Sequence, residues 1–215
     1  MADILTHEYV VAYIYVMLGG DVRHIPHNWK KIGLWAAAPD LAKDKDWSHS
    51  YDPSGGHRES GWRVPVLIWF PTPVSPEDIG VYIHLYTDVL FFRHFVGRKT
   101  GGGAITARYL GWIRWEDAGS YKKTALYPTY EANRLVPSGI SKWVEEIQGC
   151  EPEEINDPRY LLAEGWREDL RKYTDQEQGK LSPRIIWRAI TLRFFARLVA
   201  KRIIKEATWE WPPVR

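Results

Sequence analysis

Between Ser75 and Val96 the chain reads SPEDIGVYIHLYTDVLFFRHFV, and no other stretch limits the fold as much. Ser75 suits a helix cap, and Pro76 suits the first helical position. Glu77 and Asp78 complement the positive end of the helix dipole. These signals predict a helix from Pro76 to about Val96, broken by RKTGGG at 98–103. A helix as apolar as this one has to be buried. Yet it carries His84 and Asp88. Residues four apart share one helix face, so an imidazole and a carboxylate converge there. A buried carboxylate needs a partner. Two readings are open at this point. The pair is a His–Asp hydrogen bond in the core, or it supplies two ligands to one metal ion.

The remaining sequence narrows the class. A chain of 215 residues fits one domain and buries about 70% of its unfolded surface without disulfides. Its 45% apolar and 26% charged residues exclude disordered, collagen-like and coiled-coil classes. The single cysteine, Cys150, reads as an inert thiol and fits a reducing compartment. A net charge of +2 gives no specific nucleic-acid signal. The apolar run at 9–18 follows Asp3 and Glu8 with no Lys or Arg, unlike a signal peptide, so a cytoplasmic location is expected. Neither a GxxxxGK[ST] nor a GxGxxG phosphate loop is present.

Punctuation along the chain predicts a single all-α domain over 1–215. Thr6 is expected to cap a first helix through Leu18, ended by Gly19-Gly20. A second is expected from Trp29 to Ala38, stopped by Pro39. A long polar loop follows at 40–62, and 63–70 reads as a strand or a short helix. Beyond the long helix, further helices are expected at 104–115, 120–135, 138–148 and 158–174. Ser182-Pro183 opens a last one to about Glu206. The candidate site residues fall in about 1–100, and the remaining helices in about 104–206.

Other candidate ligands are His7 in the first helix, Asp40 at the end of the second, and His49 and His57 in the loop. His24 and His27 flank Pro26 and read as surface. The order Thr6-His7, then Gly33-x-x-x-x-Ala38-Pro39-Asp40, then a His-bearing loop, then His84-x-x-x-Asp88, resembles the zinc-dependent phospholipase C family. That family shares its helical-bundle fold with the single-strand-specific zinc nucleases. The resemblance covers roughly the first 100 residues. It implies a bundle of that type, one or two zinc-class ions, and hydrolysis of a phospholipid or other phosphodiester. It implies His7, Asp40, His84 and Asp88 as ligands, with Asp88 able to bridge two ions. A loop histidine joins Asp40, and His57, behind two glycines, is chosen over His49. His94 falls where larger members place a further ligand. Arg58 and Arg93 are candidate phosphate contacts. Asp44, Asp46 and Asp52 are candidates for the general base.

The chain departs from the family in having no histidine after His94, and so no following His-x-x-x-Glu. This favours, as a second reading, a module of the same fold that binds or assembles without catalysis. The last helix offers a partner for either reading. Leu192, Phe195, Val199 and Ile203 gather on one side, and Arg193, Arg197, Lys201 and Lys205 recur every four residues on another. Such a helix either packs on the core with a solvated cationic face or meets a membrane surface. Trp209 and Trp211 extend the candidate membrane contact over 192–211.

Overall fold

Four helices organise the computed structural model, which describes residues 4–43, 48, 72–91 and 183–214. They are α1 (Ile4–Met17), α2 (His27–Leu41), α3 (Pro76–Phe91) and α4 (Pro183–Glu206). Among the described residues no strand occurs, and this part of the protein is helical. No helix among them is long and apolar enough to cross a membrane. The expected helices between 104 and 174, the segment 63–70 and Cys150 lie outside the described residues.

α1 is apolar on nearly every side and is buried accordingly, with Tyr9, Val10, Val11, Ile14 and Tyr15 in the core. Thr6 does not cap it. The helix starts two residues earlier, because Ile4 is itself buried, and Thr6 lies inside. Its far end closes as the sequence predicts. The Gly20 N–H donates to the Tyr15 carbonyl at 2.9 Å and the Gly19 N–H to the Val16 carbonyl at 3.0 Å. Gly19 holds φ +90°, the left-handed turn that favours glycine. A Cβ on Gly20 would lie 2.3 Å from the Tyr15 ring, so this position needs glycine for space.

α2 is longer than expected at both ends. It begins at His27 because the Pro26 carbonyl accepts from the N–H groups of Trp29 and Lys30. It continues past Pro39 to Leu41. Proline removes one hydrogen bond here, in the last turn, where the loss is small. The Pro39 carbonyl accepts instead from the buried Ser48 hydroxyl at 3.0 Å. His24 and His27 are exposed, as expected. α3 starts at Pro76, with the Asp78 N–H donating to Ser75 Oγ at 3.2 Å and the Ser75 hydroxyl to the Asp78 carboxylate at 3.0 Å.

α2 and α3 lie side by side and run in the same direction. Lys31 pairs with Glu77 at 2.5 Å near their starts, and one turn on Gly80 meets Ile32 and Ala36. Gly80 sets the separation. A Cβ there would lie 2.6 Å from the Ile32 carbonyl oxygen and 2.7 Å from Trp35 Cβ.

α4 turns Phe195, Ala196, Val199, Ala200 and Ile203 into the core beside α1. The segment after it folds back over α2 and α3. Trp211 stacks on Trp29 at 5.9 Å, and Trp209 meets Tyr82 edge-on at 5.0 Å. The Trp29 indole N–H donates to the Pro212 and Pro213 carbonyls, each at 3.2 Å, and the Tyr15 hydroxyl, which donates to the His24 carbonyl at 2.9 Å, also lies 3.3 Å from the Val214 carbonyl oxygen. Both tail tryptophans are thus engaged inside the protein.

Candidate metal centre

Three helices bring four chemistry-bearing side chains to one point. α1 carries His7, α2 carries Asp40 in its last turn, and α3 carries His84 and Asp88 on one face. Gly80, His84 and Asp88 are spaced four apart, so the face that approaches α2 most closely also presents the candidate ligands. The two imidazoles stack at 3.8 Å with 21° between their planes. His7 Nε2 lies 3.6 Å from Asp88 Oδ1 and 3.8 Å from Asp40 Oδ2. His84 Nε2 lies 3.8 Å from Asp88 Oδ2.

These separations do not choose between the two readings of the His84–Asp88 pair. At 3.6 to 3.8 Å the groups are too far apart for hydrogen bonds. The separations are also longer than the edge of a tetrahedron around one ion, about 3.3 Å for ligands at zinc distances. His7, Asp40 and His84 each offer one ligand atom, and these atoms lie within 4.8 Å of one another. Asp88 adds a carboxylate against both imidazoles. The two imidazoles of His7 and His84 and the carboxylate of Asp40 form a group that could hold a metal ion, and these donor types suit the zinc class. Their burial would make such an ion's charge welcome, since carboxylates in the interior need a cation or strong donors nearby.

The ring of His84 is already oriented. Its Nδ1 lies 2.8 Å from the Ala36 carbonyl oxygen. A carbonyl only accepts, so Nδ1 carries the proton and Nε2 of the neutral ring keeps its lone pair. That is the tautomer a metal requires, fixed by a backbone group of the neighbouring helix. Access is one-sided. The side chains of His7, His84 and Asp88 are fully buried, and only Asp40 retains exposure, at 9%. Asp40 thus borders the exposed edge of the cluster.

The four ligands implied by the sequence resemblance on the helices thus stand together. His49, His57, His94, Arg58 and Arg93 lie outside the described residues, as do Asp44, Asp46 and Asp52. Several contributors escaped the sequence reading. The Ala36 carbonyl has no side-chain signature at all. Gly80 looks like a mild helix weakener until its neighbour is known. Glu8 and Thr87 are buried next to candidate ligands in sequence. Glu8 did carry a signal: it is an acid in a helix whose other residues are nearly all apolar. Comparison of the chain with protein-family models, with curated proteins and with solved structures gave no match.

Proposed function

We propose that the protein is a metal-dependent hydrolase of a phosphoester, a phospholipid or another phosphodiester, using one or two zinc-class ions. The observation that carries this reading is the convergence of His7, Asp40 and His84 from three helices, with Asp88 against both imidazoles. The order of motifs that resembles the zinc-dependent phospholipases supports the substrate class. When bound, such an ion supplies a water acidified towards neutral pH and a positive charge for a phosphoryl oxygen.

The chain's own residues have separate tasks. His84 presents Nε2 because Ala36 holds Nδ1. Asp88 spans the two imidazoles and balances charge. His7, stacked on His84, closes the buried side and excludes water from it. Asp40 borders the open edge, where a phosphoester would meet the site.

The test is metal content by plasma mass spectrometry on protein purified without chelators, beside a His84→Ala, Asp88→Ala variant. One or two equivalents of zinc in the wild type, lost in a variant whose helical circular dichroism is retained, are expected. Turnover of bis(p-nitrophenyl) phosphate or phosphatidylcholine should follow the metal. Wild-type protein that takes up no zinc on addition would refute the centre. Zinc without turnover of either diester would refute catalysis and leave the binding-module reading.

A further inference from the structure

The outward face of α4 is unlike that of an ordinary surface helix. Ile190, Phe194 and Leu198 follow one another at four-residue spacing and are 53%, 62% and 49% exposed. They are not needed for the core, which Phe195, Val199 and Ile203 already serve from the opposite side. Interleaved with them on the exposed face are Arg197, Lys201 and Lys205. The one acid of α4, Glu206, is tied to Arg202 at 2.8 Å and accepts from the Tyr86 hydroxyl. The face is therefore apolar and cationic together, with no free acid of its own helix.

We propose that this face of α4 docks on the surface of an anionic lipid bilayer. Charge complementarity selects the occupant. A second copy would set the same cations against one another. A nucleic acid would use the cations but leave three large apolar side chains in water. An anionic bilayer takes both: headgroup charge for Arg197, Lys201 and Lys205, and the acyl boundary for Ile190, Phe194 and Leu198. The three apolar residues span about 12 Å of helix, enough to lie flat in the interface. This contact uses neither the side of the helix that packs on the core nor Trp209 and Trp211. It also stands apart from the metal centre, so either can fail alone.

The experiment is co-sedimentation of the full chain with phosphatidylcholine vesicles, with and without 30 mol% phosphatidylglycerol (roughly the anionic content that gives a strong surface potential). Two variants are run: Arg197→Gln, Lys201→Gln, Lys205→Gln, and Phe194→Ser, Leu198→Ser. All replaced residues are exposed, and circular dichroism checks folding. Binding is expected only to the anionic vesicles. Each basic residue near such a surface is worth about fivefold, so the triple variant should bind on the order of a hundredfold more weakly. The serine variant should also lose binding. Absence of wild-type binding overturns the proposal, and so does binding unchanged in either variant. Self-association without lipid that the serine variant abolishes would also overturn it, in favour of a second copy. So would duplex DNA binding that only the triple variant loses, in favour of nucleic acid.

Discussion

Gly80→Ala is the substitution on which the geometry of the centre makes its sharpest demand. In an ordinary helix interior this change gains about 1 kcal/mol, because alanine is the better helix former. Here the added Cβ would stand 2.6 Å from the Ile32 carbonyl oxygen, 2.7 Å from Trp35 Cβ and 3.0 Å from the Ala36 nitrogen. Two of the three are backbone atoms of α2 and do not rotate away. Relief requires the helices to part by about 0.8 Å, and overpacking of this kind costs roughly 1–3 kcal/mol. The clash should outweigh the propensity gain and leave a net loss of about 1 kcal/mol, near 2–4 °C in Tm for a chain of this length. The same displacement acts one turn on. It would stretch the His84 Nδ1 to Ala36 contact from 2.8 Å towards about 3.6 Å, beyond hydrogen-bond range. Loss of an orienting partner of this kind typically weakens metal affinity by about 10–100-fold. Zinc affinity by competition with a chromogenic chelator, read beside thermal unfolding of the apo protein, tests both halves. A variant more stable than the wild type, with unchanged zinc affinity, would refute the close approach of α2 and α3 as the element that sets the site.

Three other outcomes are expected. Chelation should lower Tm, and zinc at a hundred times its dissociation constant should restore about 2.7 kcal/mol, roughly 5–10 °C; differential scanning calorimetry of wild type and His84→Ala reads this, with no zinc response in the variant. Trp29→Phe removes the donor to the Pro212 and Pro213 carbonyls and should cost about 1–2 kcal/mol; limited proteolysis should then cut within 207–214 sooner than in the wild type. Glu206 is held below its ordinary range first by the Tyr86 hydroxyl and then by Arg202, so its contribution to stability is present above about pH 4.5 and fades as pH falls through its lowered folded value. Tyr86→Phe should therefore flatten the acid limb of a urea-midpoint profile, by under about 1 kcal/mol since Glu206 is exposed; a steeper limb would contradict the assignment.

Much of this was legible from local chemistry. Ser75-Pro76 marks the start of α3 and the Gly19-Gly20 pair the end of α1, because caps and left-handed turns are decided by a few adjacent residues. The four-residue spacing of His84 and Asp88 announced a shared face for the same reason. Errors arose where tertiary packing overrode a local preference. Thr6 is a good cap residue, yet burial of Ile4 draws the helix past it. Pro39 is a helix breaker, yet the last turn of α2 tolerates it. The apolar side of α4 was visible as a stripe, but period alone does not say which stripe meets the core. Phe195, Val199 and Ile203 do, and Trp209 and Trp211 follow them inward, whereas Ile190, Phe194 and Leu198 stay outside. The role of Gly80 was illegible because it depends on an atom of another helix.

The stitching of the tail onto α1 and α2 has a kinetic consequence. The Tyr15 hydroxyl reaches the Val214 carbonyl across 199 positions, and the Trp29 indole reaches Pro212 across 183. Tyr86 meets Glu206 across 120. Helical proteins usually fold fast because their contacts are local, but this one closes its core through distant segments. Individual helices should form early, while the part of α1 that faces α4 stays uncovered until α4 and the tail arrive. Closing loops of this length should slow refolding relative to a bundle held by local contacts.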